Sequence, residues 1–291
     1  MNGVLIIDKP SGMTSHDVVA RARRILKQRA VGHLGTLDPL ATGVLPLVLG
    51  SMTRLAQFYL ASEKSYEGTI RFGFATDTYD AEGERVGAAQ EPGLSLAQVR
   101  ELAENFKGEI QQTPPLFSAK KIQGVPAYKL ARKKKDIALE PVRVEIKDFE
   151  IADFENSRAS FRARVSSGTY VRSIAHEMGQ NAGCGAHLES LRRTAVAEFE
   201  LRDAHTLEEI EQAARDNSVE EIFVHPRKLL PSLPAVTASD ETAARIRHGR
   251  PVNLPELSRA REVKVFYGQR DLIAISTRVA GSLFQPRIVF V

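Results

Sequence analysis

Apolar positions along the chain occur both in short continuous runs and at helical spacing, which predicts a mixture of strands and helices. The run GVLIIDKP at residues 3–10 predicts a buried strand that ends at a Lys-Pro turn. An amphipathic helix is predicted next, because Thr14 and Asp17 have the spacing of a capping box and apolar residues follow at helical intervals. Further helices are predicted after Ser51, after Ser95 and from about residue 170.

The alternating segment KSYEGTIRFG predicts a strand that places Tyr66 on its inward row. From about residue 114 to 144 the pattern becomes basic and is interrupted by Pro and Gly, which predicts a projecting flap. Prolines near residue 231 mark a boundary, and the rest of the chain predicts a small, mostly β domain. We therefore expect two domains, 1–230 and 231–291.

Composition supports a folded protein with a polyanionic partner. The 291 residues are 43% hydrophobic, and 40 Lys and Arg against 36 Asp and Glu give a net charge of +4. The one cysteine, Cys184, excludes an intramolecular disulfide framework, and the first residues do not resemble a signal peptide. We expect a soluble, cytoplasmic protein that does not bind membranes.

Common cofactor motifs are absent from the sequence. It contains no GxxxxGK[ST] loop, no strand-linked GxGxxG, no HExxH and no paired CxxC. Cys184 and His187 have the spacing of half a metal site, but a single such pair is usually incidental. The sequence thus gives no support to nucleotide-triphosphate, dinucleotide or structural-zinc binding.

The segment GHLGTLDPLATGVLPLVLG at residues 32–50 contains one acidic residue, Asp38. Asp-Pro ordinarily begins a turn and does nothing else. Here, however, Gly and Thr surround it, and such a loop can bring the backbone close to a ligand and hold the carboxylate in a partly apolar pocket. A carboxylate in that position needs a partner, or its pKa rises.

Three other features have both a structural and a functional interpretation. Arg172, in the first turn of a predicted helix and off its apolar stripe, is either a surface residue or the partner of Asp38. Tyr66 either packs in the core or stacks on a base. The basic run AYKLARKKK either is solvated or contacts phosphates.

Five segments together resemble the TruB family of pseudouridine synthases in order and approximate spacing. They are VLIIDKPSGMTSHDVV, VGHLGTLDPLATGVLPLVLG, KSYEGTIRFG, QTPPLFSAKKIQG and SSGTYVRSIAHEMG. The resemblance covers about residues 1–230, and the tail resembles the PUA-like RNA-binding domain of that family. It implies an α+β fold with a mixed, largely antiparallel central sheet flanked by helices, plus the small β-rich C-terminal domain.

The resemblance also implies residue roles. Asp38 matches the nucleophile of the family, and Arg172 matches the arginine that pairs with it and keeps it ionised. Tyr66 matches the tyrosine that stacks on the target base, and Tyr170 lines the same pocket. Removal of the C5 proton by Tyr66 would be inefficient, because a phenol with a pKa near 10 is a weak base at neutral pH.

The implied substrate is the uridine at position 55 in the T loop of tRNA, turned out of its stack. His33 would fill the vacated space or hold neighbouring nucleotides. The flap would close on the T arm through its basic residues, Lys120, Lys121, Arg132, Lys133, Lys134 and Lys135. We expect a monomer that needs no metal or small-molecule cofactor.

Two other functions share part of this pattern. A non-catalytic RNA-binding protein or tRNA chaperone would have the basic flap and the tail, but would not need Asp38, Arg172 and Tyr66 together. A glycosidase-like hydrolase would also attack a glycosidic carbon with a carboxylate, but such enzymes usually use two acids. No convincing second acid is visible in the motifs, and release of free uracil would distinguish hydrolysis from isomerisation.

Overall fold

A computed structural model describes residues 1–118, 121–122, 125–126, 139–256 and 258–290. Its largest element is a nine-stranded sheet. The strands of this sheet are β1 (Gly3–Lys9), β2 (Val31–His33), β3 (Thr42–Leu49), β4 (Lys64–Phe72), β7 (Gly108–Gln112), β10 (Val142–Glu155), β11 (Arg158–Val165), β12 (Ala186–Val196) and β13 (Phe199–Glu200).

The order across the large sheet is β1-β3-β12-β4-β11-β10-β7, with β2 paired to β3 and β13 to β12. Every pair is antiparallel except β3 with β12. The predicted mixed, largely antiparallel sheet is therefore confirmed. Two short hairpins lie outside it, β5 (Ala75–Thr76) with β6 (Arg85–Val86) and β8 (Lys121–Ile122) with β9 (Val125–Pro126).

Six α-helices are found in the described part of the chain: α1 (Ser15–Ile25), α2 (Ala56–Tyr59), α3 (Leu96–Glu104), α4 (Val171–Asn181), α5 (Leu207–Arg215) and α6 (Asp240–Arg247). The predicted capping box of α1 is present, since Thr14 accepts from the amide of Asp17 and the Asp17 carboxylate accepts from the amide of Thr14. Ser95 caps α3 as predicted. Local sequence signals thus determine where these helices begin.

Three local predictions are wrong. Ser51 does not cap a helix: the chain forms a 3-10 helix over Gly50–Leu55 before α2, and the amide of Ser51 donates to the side chain of Asn2. Residues 142–144, assigned to the flap, begin β10 because they pair with β7. Arg172 is buried rather than off the covered stripe, for reasons given below.

A second sheet of five strands follows residue 234. Its strands are β14 (Ala235–Ala238), β15 (Val252–Asn253), β16 (Glu262–Tyr267), β17 (Asp271–Ala280) and β18 (Leu283–Val289). Their order across the sheet is β14-β16-β17-β18-β15. One face has its own core around Phe284, whereas Phe266 joins a cluster with Val4 and Ile6 of the large sheet. The two sheets therefore share an apolar core.

No helix in the described ranges is long and apolar enough to cross a membrane.

Candidate active site

A cavity of about 600 Å³ opens on the large sheet, within the size range of ordinary ligand pockets. Its walls come from the loop before β3, from β4, from the start of β10 and from the turn that leads into α4. The lining includes Asp38, Tyr66, Tyr170 and Arg172, which the sequence predicts as site residues. Elements distant in sequence thus form one pocket.

Asp38 begins a tight turn at the base of this cavity. The amide of Ala41 donates to the carbonyl of Asp38 at 3.1 Å, which places Pro39 at the second turn position, where its fixed φ is favourable. Upstream, Gly35 has φ +121°, a conformation that glycine adopts without steric cost. The Asp-Pro sequence and the glycine together shape the loop that presents the carboxylate.

Two residues near the N-terminus hold this loop in place. The hydroxyl of Ser15, the first residue of α1, accepts from the amide of Leu37 at 2.8 Å and donates to its carbonyl at 3.1 Å. Lys9, fully buried at the end of β1, donates from Nζ to the carbonyls of Met13 and Pro39 at 2.6 and 3.2 Å. Burial lowers the pKa of Lys9 to about 8.

Asp38 and Arg172 form an ion pair, with Nε of Arg172 2.9 Å from Oδ2 of Asp38. The arginine side chain is 5% exposed, whereas that of Asp38 is 37% exposed at the cavity floor. Arg172 also donates to the carbonyls of Thr78 and Phe117 at 3.1 and 2.9 Å. Its burial is explained by these partners, which replace water around the guanidinium.

A second acid, which no sequence motif reveals, lies beside Arg172. Oδ2 of Asp80 lies 3.3 Å from Nη1 of Arg172, and the Asp80 side chain is 5% exposed. Oδ1 of Asp80 accepts from the hydroxyl of Thr78 and from the amide of Glu82. The sequence DAEG at 80–83 signals a turn, but it does not show that this hairpin folds over Arg172.

Asp80 and Arg172 shift the pKa of Asp38 in opposite directions. Burial raises the pKa of Asp38, and the negative charge of Asp80 raises it further. Arg172 opposes both effects because its positive charge favours the carboxylate form. Arg172 is thus shared between two carboxylates, of which only Asp38 lines the cavity.

Two tyrosines line the cavity. Tyr66 is 8% exposed on β4, where it pairs with Ala163 of β11 on one side and Arg193 of β12 on the other. Tyr170 precedes α4, and Gln112 fixes its backbone by accepting from its amide at 2.7 Å and donating to its carbonyl at 3.0 Å. Burial raises the pKa of Tyr170. Aromatic rings here offer stacking surfaces for a base.

Lys64 also lines the cavity, although the sequence analysis does not single it out. Its Nζ donates to the carbonyl of Ser62 at 2.7 Å. Burial, with a smaller contribution from Arg193, lowers the pKa of Lys64 to about 8. Its position as the first residue of β4, two residues before Tyr66, is the signal that could have identified it.

His33 lies outside the cavity lining. It is half-buried at the end of β2, and its ring meets that of His16 edge to face with centroids 5.7 Å apart. Burial lowers the pKa of His33, and the charges of His16 and Arg193 lower it further. The predicted roles of His33 toward RNA stay predictions.

The flap residues are largely beyond the described ranges. Lys121 is on the short strand β8, and only its backbone is described. The other predicted contacts, Lys120, Arg132, Lys133, Lys134 and Lys135, lie outside the described residues.

Comparison with known proteins gives consistent matches over the chain. The family model for the N-terminal domain of TruB family pseudouridylate synthases matches residues 23–171, and that for the tRNA pseudouridylate synthase B C-terminal domain matches residues 172–234. A tRNA pseudouridine synthase B of Solibacter usitatus is 49% identical, covering 99% of this chain and 100% of the relative. That of Aquifex aeolicus is 38% identical with the same coverage.

Solved structures with similar folds include chains of two complexes. A chain of a Cbf5–Nop10–Gar1 complex aligns with a TM-score of 0.72 at 26% identity, covering 99% of this chain and 85% of the other. A chain of the archaeal box H/ACA sRNP Nop10–Cbf5 complex aligns with a TM-score of 0.70 at 25% identity, with 99% and 86% coverage. The α+β fold is thus found in known structures.

Proposed function

The chain belongs to the TruB family of pseudouridine synthases, and we propose that it converts uridine to pseudouridine in the T loop of tRNA, at position 55. The observation that carries the proposal is the Asp38 carboxylate at the cavity floor, ion-paired to a buried Arg172 beside two aromatic rings. The relatives named above are tRNA pseudouridine synthases, which supports tRNA as the substrate.

The reaction is an isomerisation, so no atom of another substrate is transferred. The C1′–N1 bond breaks, the uracil turns in the cavity, and a C5–C1′ bond forms. C5 then loses its proton, and N1 gains one. Asp38 acts as the nucleophile, at C1′ or at C6 of the base, and is released when the product forms.

Arg172 keeps the Asp38 carboxylate ionised and oriented. A carboxylate in a partly apolar cavity tends to take up a proton, and a protonated acid is not a nucleophile. The guanidinium is fixed by Asp80 and by two carbonyls, so it does not need to reorganise when Asp38 reacts. Its position is therefore suited to holding one oxygen of Asp38 while the other faces the base.

Tyr66 stacks on the flipped base, and Tyr170 provides a second wall of the pocket. Both rings come from rigid elements, β4 and the start of α4. The target nucleotide leaves its stack to enter the cavity, and His33 holds the neighbouring nucleotides. The basic flap and the second sheet, as a PUA-like domain, contact the RNA backbone.

The test uses an unmodified tRNA transcript tritiated at uracil C5, incubated with the pure protein without added cofactor or metal. Tritium release measures loss of the C5 proton, and nucleotide mapping locates the product. We expect release at one T-loop uridine by the wild type and none by D38N. D148N, the same chemical change on an exposed residue of β10, serves as the matched control and retains wild-type activity.

Other outcomes would contradict the proposal. Free uracil among the products would indicate hydrolysis. Tight tRNA binding without tritium release would indicate a non-catalytic RNA-binding protein. Equal loss of tRNA binding and tritium release in D38N would assign Asp38 a structural role in the turn.

A further inference from the structure

Arg193 is a fully buried arginine that the proposed mechanism does not use. No ion pair involves it in the described part of the chain. A buried guanidinium without an acid partner is costly unless hydrogen bonds replace its hydration. We propose that Arg193 is a positioning residue that sets the Asp38 loop against Tyr66, an inference that rests on the proposed function.

Hydrogen bonds from Arg193 go to both ends of the Asp38 loop. Nη2 donates to the carbonyl of Gly35 at 3.0 Å and Nη1 to that of Thr36 at 3.3 Å. Nε donates to the carbonyl of Val44 at 2.7 Å, on β3 beyond the loop. One planar fork thus ties the entry and the exit of the loop to the same strand.

The exit of the loop approaches the backbone of Arg193 closely. A Cβ on Gly43 would lie only 2.2 Å from the backbone carbonyl oxygen of Arg193, whereas one on Gly35 would be in ordinary van der Waals contact with Nη1 at 3.6 Å. Gly43 is also the direct partner of Arg193 in the parallel pairing of β3 with β12. The backbone of β12 therefore fixes the exit of the loop, and the Arg193 side chain acts on its entry through the hydrogen bonds to Gly35 and Thr36.

Arg193 connects this loop to Tyr66. The two residues are direct cross-strand partners on β12 and β4, and Tyr66 favours the charged form of the Arg193 guanidinium. Arg193 also interacts electrostatically with Asp38. One buried side chain therefore holds the Asp38 loop and is paired directly across the sheet with Tyr66.

A lysine at this position would keep the charge but could not form three hydrogen bonds in one plane. R193K therefore tests the effect of the hydrogen-bond geometry while the positive charge is kept. Displacement of a reacting group by about 1 Å can slow a reaction by about 100-fold. We therefore expect R193K to bind tRNA normally and to react slowly.

The experiment compares wild type, R193K, R193Q and R192K. Arg192 is the adjacent residue on β12. It pairs with Asp8 at 2.7 Å and donates to the hydroxyl of Thr42 on β3 at 3.3 Å, and none of its hydrogen bonds within the described residues goes to Gly35 or Thr36. Single-turnover tritium release from the C5-labelled transcript at saturating protein measures the chemical step. Filter binding measures the Kd for tRNA, and thermal unfolding checks the fold.

We expect R193K to lose about 10- to 100-fold in single-turnover rate with its Kd within about twofold of wild type. R193Q loses at least as much, and R192K stays within about twofold of wild type. A merely structural role would instead weaken tRNA binding in step with the rate.

Three results would overturn the inference: an R193K rate within twofold of wild type, an equal loss in R192K, or unfolding of both Arg193 variants at the assay temperature. A wild-type protein that releases no tritium would overturn the proposed function and this inference with it. An active wild type beside an unimpaired R193K would overturn the inference alone.

Discussion

At the residue scale, the ionisation of Asp38 depends on one acidic and one basic neighbour. Burial and Asp80 raise its pKa, and Arg172 lowers it. Since the proposed function makes the ionised form the nucleophile, the rate should rise with pH through a pKa above the ordinary aspartate value of 3.8. The acid limb of single-turnover tritium release measures this pKa, and a limb at or below the ordinary value would contradict the assignment.

Substitution D80N tests the sign of that coupling. Removing the negative charge of Asp80 lowers the pKa of Asp38, so the acid limb should move to lower pH. The rate on the plateau should fall by about tenfold, because Arg172 loses an acceptor that orients it. D148N, on the surface of β10, should change neither quantity. A limb that moves to higher pH would show that Asp80 acts on Asp38 only through Arg172.

Arg172 should also contribute to stability, because both it and Asp80 are 5% exposed. R172M leaves the Asp80 carboxylate buried without its partner, which costs about 3–5 kcal/mol. R158M removes an arginine that pairs with Glu189 at the surface, where its side chain is 46% exposed, and should cost less than about 1 kcal/mol. Urea denaturation measures the loss of unfolding free energy in each variant. Equal losses in R172M and R158M would contradict the burial argument.

At the element scale, α4 is packed on β12 through a glycine. Gly to Ala inside a helix ordinarily stabilises by about 0.5–1 kcal/mol. A Cβ on Gly179 would lie 1.9 Å from the amide nitrogen of Ala186, so the helix would have to move. We expect G179A to destabilise the protein by about 1–3 kcal/mol. It should also slow tritium release, because α4 carries Arg172.

The matched control is G183A, just beyond the end of α4. Gly183 has φ +74° and open space where a Cβ would project, so alanine there adds backbone strain of about 1–2 kcal/mol without moving the helix. The stability of G183A should therefore fall while its rate is unchanged. A G179A protein with wild-type stability and rate would contradict the packing argument.

The elements that sequence predicts well are those with local signals. The capping box at Thr14 begins α1, and the apolar periodicity after Tyr170 gives α4. Asp80 and Arg193 are not predictable in this way, because their roles depend on contacts between segments far apart in the chain. The sequence does not show whether an arginine on a strand faces water or three backbone carbonyls.

At the scale of the whole molecule, the two sheets should unfold together. Phe266 of β16 is fully buried in a cluster that includes Val4 and Ile6 of β1, whereas Phe284 lies in the second sheet's own core. F266A and F284A should each cost about 3–5 kcal/mol in one urea transition. Hydrogen exchange of the β1 amides should rise more in F266A, and a separate transition for the second sheet would contradict the shared core.

Net charge acts on tRNA binding over the whole molecule, and the basic run at Lys133, Lys134 and Lys135 should account for part of it. Each phosphate contact releases counterions, so the logarithm of the binding constant falls with the logarithm of the salt concentration, with a slope proportional to the number of contacts. Neutralising the three lysines to Gln removes up to three contacts and makes that slope shallower.

The slopes also predict at which salt concentration the variant and wild type differ most in tRNA affinity. The variant should bind more weakly than wild type at low salt, and the two curves should converge as salt is added, because the lost contacts contribute most where counterion release is most favourable. The same triple change at the exposed residues Lys107, Arg158 and Arg215, which the proposed function does not place on the RNA, is the control for net charge alone. Filter binding between 50 and 200 mM salt, roughly the range over which such slopes are large, measures both. If the two variants have equal slopes, net charge rather than the flap attracts the RNA; if the slope of the lysine variant matches wild type, the run does not contact phosphates.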